Sequence, residues 1–450
     1  MSMNYHLNDD RLETKFQDAK PLYSESEAKI EANRCLFCFD APCIKACPTQ
    51  IDIPGFIQKI ASGNIRGSAK TIFRSNILGV STARVCPVEE LCSGACVYND
   101  LDNKPIQIGR LQRFATHQAL ELETTSGRSL FTPASPVDKK VALIGAGPAS
   151  LSCAAYLALE GVHTVIYEIN DLPGGLNLTG IAPYKFMAAD AMDEINWLVK
   201  FGLNIRTGTA LGRDISLDKL MNENDAVFLG IGLGKDTFPD IPGEELDNVF
   251  GATDLIRKIK NDPEFELPYD LKKAVVIGGG NTAIDIAREL AMLGVPEVDI
   301  VYRRTKDVMP GYSHELSHAR ENGVRLLEKQ TPIKITNGSD GRLQLFTEHT
   351  DSKTEKTHHA DWIVMAIGQL KFAREIAPNL EIDKKGRVIV DDKTRRTSIP
   401  NLYAGGDCIN GGKEVVNAVA DGRDAAYAML ASWGLHPVNS NHKIGSNGHV

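Results

Sequence analysis

One pattern occurs twice in this chain, and it leaves few folds open. The text KKVALIGAGPASLSCAAYLALEG starts at Lys139, and KKAVVIGGGNTAIDIARELAMLG starts at Lys272. Each reads as a buried strand, a glycine turn and an apolar helix. HTVIYE (163–168) and VDIVYRR (298–304) follow as second strands. The offset between the turns, from Gly145 to Gly278, is 133 residues. Parallel strands joined through a helix need a sheet covered on both faces. The duplication therefore implies an α/β chain with two Rossmann-like nucleotide-binding units. Segments 361–368 (DWIVMAIG) and 398–407 (SIPNLYAGGD) read as further strands and are expected to return to the first unit. The second unit then interrupts the first: 137–255 and 365–436 form one, 256–364 the other.

The text before residue 130 is of another kind and is expected to form a helical domain, 1–130. Ser24-Glu25-Ser26-Glu27 is placed to cap a helix running to Asn33. A second helix is expected over 109–122, then a linker rich in Ser, Thr, Pro and Gly over 124–136. At the other end, 437–450 reads as a flexible polar tail. Seven of the nine cysteines fall between Cys35 and Cys96. Their spacing is Cys35-x2-Cys38-x4-Cys43-x3-Cys47-Pro48, then Cys86-Pro87-x4-Cys92-x3-Cys96. Structural zinc usually takes CxxC pairs, four ligands per ion, and only one CxxC is present. The closely spaced thiols with following prolines favour iron–sulfur ligation. Seven thiols cannot complete two four-cysteine clusters, so either one cluster is incomplete or another residue type supplies a ligand.

Composition excludes some partners. The formal net charge of -8 argues against nucleic acid. No run approaches the ~20 apolar residues that span a bilayer, so no membrane association is expected. The polar opening MSMNYHLNDDRLETKF has no secretory core. These features, with clustered free thiols, point to the cytoplasm.

The two glycine turns carry different nucleotide signatures. In the first, Gly145 and Gly147 permit close approach of a pyrophosphate to the helix that Pro148, Ala149 and Ser150 open, and Glu168 ends the next strand where a ribose hydroxyl would lie. In the second, Gly278, Gly279 and Gly280 precede Asn281, Thr282 and the small Ala283, but the next strand ends in Tyr302-Arg303-Arg304 with no acid. An arginine there favours a 2′-phosphate, so NADPH is expected over NADH. No CxxC follows Cys38, so a disulfide relay beside a flavin is not expected. Cys153 and Cys408 read as small core residues.

Together these motifs resemble a known family. RCLFCFDAPCIKACP, RVCPVEELCSGACV, PIQIGRLQRFAT, GAGPAS and the GGD near the C-terminus are similar to the N-terminal half of dihydropyrimidine dehydrogenase, its free-standing bacterial counterpart and the glutamate synthase small subunit. The likeness spans about 25–430. It implies FAD at the first turn, held by Gly145, Gly147, Pro148, Ala149, Ser150, Glu168, Gly175, Leu176 and Asp407, with the helix from Val415 pointing at the flavin. Lys185 stands where the family more often has arginine. The implied nicotinamide residues are Gly280, Asn281, Thr282, Arg303, Arg304 and Gly368. Two [4Fe-4S] clusters are implied with crossed ligation: Cys35, Cys38, Cys43 and Cys96 for one, and Cys47, Cys86, Cys92 and Gln112 for the other. Met309-Pro310-Gly311 is closer to the glutamate-synthase pattern. No general acid or base is nominated. The pyrimidine enzyme reduces its substrate on a separate FMN barrel of ~250 residues, for which the text after the last helix leaves no room. An FMN-containing catalytic subunit is therefore the expected partner, in a heterotetramer. The rival expectations are a glutamate synthase small subunit and a ferredoxin-linked oxidoreductase subunit.

Overall fold

A computed structural model describes residue 7 and residues 10–437. The expected flexible tail, apart from Pro437, lies outside them. Thirteen strands among the described residues, numbered in chain order, form three sheets. The first sheet takes β1 (Lys140–Ile144), β2 (His163–Tyr167), β3 (Asn204–Arg206), β4 (Ala226–Leu229) and β13 (Leu402–Ala404) in the order β13-β4-β1-β2-β3. All its pairings are parallel, with Ile144 opposite Tyr167 and Leu229. The second takes β5 (Val249–Gly251), β6 (Lys273–Gly278), β7 (Glu297–Val301), β8 (Arg325–Leu327) and β12 (Trp362–Ala366) in the order β5-β12-β6-β7-β8, again all parallel. Between β8 and β12 the chain makes an antiparallel meander, β9 (Gln330–Asn337), β10 (Leu343–His349) and β11 (Glu355–Ala360). Ile335, Leu343, Leu345 and Ala360 of the meander bury against Val275, Ile277 and Ile363 of the second sheet.

Both glycine turns lie where the duplication predicts them, each between a central strand and a crossover helix: β1 to Pro148–Leu159, and β6 to Asn281–Met292. Segment 361–368 is a correction. Its strand, β12, pairs with β6 and β5 and belongs to the second unit. The expected borders at 255/256 and 364/365 are displaced with it, because β5 and the helix Ala252–Asn261 pack in the second unit too. Segment 398–407 does return to the first sheet, where β13 pairs with β4. The expected linker 124–136 is also corrected. The helix Ile108–Ser126 extends into it, and Leu130 and Phe131 bury in the core of the first unit, with Phe131 edge-on to Phe201 at 6.3 Å.

The N-terminal domain is helical as expected, with Ser24 capping Glu25–Asn33 in a full capping box with Glu27. Helices Ile53–Ala61, Ile65–Ser75, Gly79–Val85 and Ile108–Ser126 pack around Phe56, Ile57, Ile60, Ile72, Leu111 and Phe114. Phe73 reaches the first nucleotide unit, with its ring 4.6 Å from that of Trp197. Such a pair is worth about 1 kcal/mol beyond the area it buries. No described helix is long and apolar enough to cross a membrane.

The helix Val415–Ser432 lies along Pro148–Leu159 at a separation only glycine permits. A Cβ on Gly422 would stand 2.0 Å from the Ala149 carbonyl oxygen and 2.9 Å from the Cys153 amide nitrogen. Both are backbone atoms, so they cannot yield as a side chain would. Gly422→Ala is accordingly expected to destabilise the chain by about 2 kcal/mol in urea denaturation. Helix propensity alone gives the opposite sign, so unchanged or increased stability would contradict this close crossing.

Candidate nucleotide and cluster sites

The first turn is shaped by backbone meeting backbone. Gly145 has φ +83°, and a Cβ on it would lie 2.6 Å from the Gly230 carbonyl oxygen. Gly175 has φ +55° and ψ -138°, a region open almost only to glycine, and its Cβ would lie 2.8 Å from the Gly147 Cα. Two loops thus close on each other in front of the helix Pro148–Leu159, whose first amides have no side-chain cap. Glu168 is buried at the end of β2. Its carboxylate accepts from the Ala146 amide at 2.6 Å and from the Asn170 backbone and side-chain amides at 2.9 and 2.7 Å. An ionised carboxylate has about four acceptor positions, so one is left for a ribose hydroxyl. Ser150 faces the sheet: its hydroxyl donates to the Ile144 carbonyl at 3.4 Å and fills the space a Cβ on Gly230 would need. Leu176 begins the short helix Leu176–Thr179. Asp407 accepts from the Lys413 amide at 3.2 Å, and burial raises its carboxyl above the usual range. Gly406, beside it, donates to Asp421 at 3.0 Å and lies against Ala149. A flat, anionic dinucleotide fits this glycine-lined cradle with a buried acid at its ribose end.

The second turn is more open. A Cβ on Gly280 would meet nothing within 4 Å, so the start of the helix Asn281–Met292 has free space before it. Thr282 is half-buried in the first turn of that helix, and Gly368, with φ +114°, is exposed beyond β12. Arg303 and Arg304 are exposed beyond β7, and neither forms an ion pair with a described residue. Met309-Pro310-Gly311 closes over the turn, and the Gly311 amide donates to the Gly279 carbonyl at 2.9 Å. The Tyr312 amide donates to the Asn281 side-chain oxygen at 2.9 Å, and its hydroxyl donates to Glu414 at 2.7 Å. Glu414 precedes the helix Val415–Ser432 of the first unit, so Tyr312 joins the two nucleotide units. Sequence reading missed this contact. The Lys185 ammonium pairs with Asp285 at 2.7 Å and Glu315 at 2.8 Å, both in the second unit.

The seven thiols sort into two neighbourhoods. A cavity opens among Cys35, Cys38, Cys43 and Cys96 beside Ile53 and Ile57. Burial raises the Cys35 and Cys43 thiols, Cys43 to about 12; Cys38 and Cys96 raise Cys35 further, and Cys35 and Cys96 do so for Cys43. Burial likewise raises Cys86 and, to about 12, Cys92; here the neighbouring thiols are Cys92 and Cys47 for Cys86, and Cys47 for Cys92. Cys92 also feels Cys43, so the neighbourhoods adjoin. Thiols gathered this closely repel as thiolates unless iron compensates them. Among the described residues no three His, Cys, Asp or Glu side chains converge on a single metal ion. Gln112 is buried, and its amide nitrogen donates to the Gly79 carbonyl at 2.9 Å and the Thr82 hydroxyl at 3.0 Å. No described group donates to its amide oxygen. Cys153 and Cys408 are buried and apart from these thiols, and burial alone lifts the Cys153 thiol.

The cluster domain is seated on the first unit by Glu194. This buried carboxyl accepts from the Val80 amide at 2.8 Å and from the Ser81 amide and hydroxyl, in place of the cap that Leu78 cannot give to the helix Gly79–Val85. Arg84 of the same helix pairs with Asp190. The helix leads directly into Cys86. Arg423 adds a second tie, donating to the Thr49 and Ser75 carbonyls at 2.7 and 2.9 Å.

Comparison with known proteins accords with this geometry. The sequence matches the family described as dihydropyrimidine dehydrogenase domain II, 4Fe-4S cluster, over 12–124, and the pyridine nucleotide-disulphide oxidoreductase family over 139–422. The molecule is thus an FAD- and iron–sulfur-dependent NAD(P)H oxidoreductase. It is 35% identical to the NAD-dependent dihydropyrimidine dehydrogenase subunit PreT of Escherichia coli K12, over 91% of this chain and 95% of that one. It is 33% identical to the glutamate synthase (NADPH) small chain of the same strain, over 91% and 92%. The chain belongs to the family that contains both. Thioredoxin reductase of T. acidophilum matches with a TM-score of 0.55 at 19% identity, covering 66% of this chain and 99% of its own, a likeness of fold alone.

Two predictions follow from the geometry. Gly175→Ala strains the backbone and pushes against Gly147, so the purified variant is expected to hold well under half the wild-type FAD while remaining folded by circular dichroism. The second concerns pH. Burial raises the Glu194 carboxyl from 4.5 to about 7 against the hydrogen bonds from Ser81 and Val80. The folded chain therefore holds this proton more tightly than the unfolded chain. Its stabilising contribution is complete below pH 4.5 and is lost as pH rises through 7. The loss is about 3 kcal/mol. In denaturation series across this range, wild type should lose that much more stability than Glu194→Gln, and parallel curves would place the carboxyl at its ordinary value.

Proposed function

We propose that this chain is the electron-input subunit of a two-component enzyme whose other subunit carries FMN and reduces uracil or thymine to the 5,6-dihydropyrimidine, the two assembling as a heterotetramer in the cytoplasm. The observation that carries the reading is the division of seven thiols into a group of four and a group of three, with Gln112 bonded through its amide nitrogen to Gly79 and Thr82 of the helix that leads into Cys86. That division supports two [4Fe-4S] clusters, one on Cys35, Cys38, Cys43 and Cys96, the other on Cys47, Cys86, Cys92 and Gln112. One NAD(P)H gives NAD(P)+, a proton and two electrons, and reduction of one pyrimidine to its 5,6-dihydro form would consume both electrons, that proton and a second proton from solvent.

In this reading the residues of the chain bind and orient. Gly145, Gly147, Pro148, Ala149, Gly175 and Leu176 admit the FAD pyrophosphate, Glu168 takes a ribose hydroxyl and Asp407 the ribityl side, while Ser150 sets the helix against the sheet. Gly280, Asn281 and Thr282 receive the nicotinamide dinucleotide's pyrophosphate, and Gly368 borders it. Bound FAD supplies the conversion between hydride and single-electron chemistry. No side chain is required to move a proton in the hydride step. The exposed guanidinium groups of Arg303 and Arg304 suit a 2′-phosphate, which favours NADPH. The Met309–Gly311 segment over Gly279 favours a second reading, the small subunit of an NADPH-dependent glutamate synthase.

Three measurements test the proposal. Anaerobic NADPH should bleach the flavin of the purified protein, and the partner that co-purifies should carry FMN and reduce uracil; a large amidotransferase in its place would decide for the second reading. Arg303→Ala with Arg304→Ala should raise KM for NADPH at least about tenfold and leave that for NADH unchanged; equal effects on both would remove the phosphate role. Gln112→Ala should change the EPR line shape of one reduced cluster and not the other, whereas an unaltered spectrum would return Gln112 to an ordinary helix position.

A further inference from the structure

Tyr312 stands where the two nucleotide units and the cluster domain meet, and it is tied to all three. Gly311, before it, lies against the second glycine turn. A Cβ on Gly311 would stand 2.5 Å from the Ile284 Cδ1 and 3.1 Å from the Gly279 carbonyl oxygen, so the chain cannot back away from the turn here. The Tyr312 amide donates at 2.9 Å to the side-chain oxygen of Asn281, the first residue of the helix Asn281–Met292. Its hydroxyl donates at 2.7 Å to Glu414, which directly precedes the helix Val415–Ser432. Burial raises the Glu414 carboxyl above the usual range against this bond. The face of the ring stacks on His314, with centroids 5.6 Å and planes 8° apart. The His314 ring nitrogens lie 3.5 Å from Glu90 and 3.8 Å from Glu89, in the loop after Cys86. One side chain thus bridges the start of the second unit's glycine-turn helix and the start of the helix that lies on the first cradle.

We infer that Tyr312 orients the nicotinamide half of the dinucleotide against the first unit, and that Glu414 is the positioning residue that holds Tyr312 in place. The inference rests on the reading of Gly280, Asn281 and Thr282 as the pyrophosphate site and of the helix from Val415 as the flavin's neighbour. A pyrophosphate in the open space before Gly280 carries two arms. The adenosine arm belongs on the side of Arg303 and Arg304, beyond β7. The nicotinamide arm must then run the other way, toward the first unit, and Tyr312 bridges that span. A side chain fixed at its amide, its ring face and its hydroxyl has lost its rotamer freedom before a ligand arrives. Such a side chain acts as a wall, whereas a cover that swings aside would be tied more loosely. Its two polar ends differ in purpose. The amide bond keeps Tyr312 on the second unit, and the hydroxyl bond sets it relative to the first. Only the hydroxyl bond registers the nicotinamide arm against the flavin, and a misplacement of about 1 Å at reacting atoms can cost about 100-fold in rate.

The test uses the full holoprotein and whichever of NADPH and NADH bleaches its flavin. Calorimetry compares binding of the matching oxidised dinucleotide with that of its nicotinamide-free counterpart, 2′-phospho-ADP-ribose or ADP-ribose. Tyr312→Phe keeps the ring and loses only the bond to Glu414. It should weaken the whole dinucleotide at least about fivefold and leave the truncated one within about twofold. The limiting rate of flavin bleaching should fall about tenfold. Glu414→Ala should act as Tyr312→Phe does, and the double variant should be no worse than either single one. Glu414→Gln keeps an oxygen for the phenol and should recover most of the loss. The two partners lie on different units, so the test stands if one variant loses FAD or iron. Equal weakening of both ligands would reduce Tyr312 to a structural prop. Wild-type binding and bleaching in Tyr312→Phe, or additive losses in the double variant, would overturn the inference. A wild-type flavin that neither nucleotide bleaches would instead sink the nucleotide reading beneath it.

Discussion

The buried carboxyl of Glu194 against the first amides of the helix Gly79–Val85 sets the distance on which the rest of the molecule depends. The helix supplies no cap of its own, and two amides left buried without an acceptor cost about 1–3 kcal/mol each. The acceptor arrives from the first nucleotide unit, so the cluster domain satisfies its backbone only when it is docked there. The consequences run along the chain in both directions. Cys86 follows the helix directly, and Gln112 is pinned to the carbonyl of Gly79 at the helix start. One carboxyl thereby positions the smaller thiol group relative to the glycine cradle.

The two nucleotide units are fixed to each other with comparable care. Lys260, fully buried on the helix Ala252–Asn261, donates to the carbonyls of Asn177, Ile181 and Phe186 at 2.9, 3.0 and 2.7 Å. Burial lowers its ammonium to about 8, against the pull of Glu13 and Glu289. Tyr184 and Lys185 meet Asp285, and Tyr312 meets Glu414. A charged donor bound to three oxygens is expensive to strip, so the interface favours a single relative placement. Two cofactor sites and a cluster domain then share one frame, as electron passage over short distances requires.

Much of this was legible in the residues, and the failures share a cause. The glycine turns, their strands and helices, the capping box at Ser24 and the small buried thiols at Cys153 and Cys408 are local, and periodicity or spacing reveals them. Segment 361–368 forms a strand as its residues predict, but it pairs in the second sheet rather than the first. WIVMA is buried on both faces, and such a run carries no mark of its neighbours. In the expected linker, Leu130 and Phe131 are two apolar residues among Ser, Thr and Pro, and composition hid their burial. The partners of Lys185 lie 100 and 130 positions away, at Asp285 and Glu315, beyond the reach of any local pattern. Tyr312 and Glu414 are 102 residues apart, and no pattern short of the fold joins them.

The place of β13 has a consequence for how the chain is made. The second sheet has all its strands once residue 366 has emerged from the ribosome. The first sheet still lacks its edge strand, Asp407 and the long helix that packs on Pro148–Leu159, all of which come after residue 400. Synthesis runs from the N-terminus at about 5–20 residues per second. The interrupted unit must therefore hold its open edge for several seconds while the inserted unit, begun later, is already complete. The order of birth inverts the order of sequence, and the glycine-lined cradle of the first unit is the last part of the molecule to close.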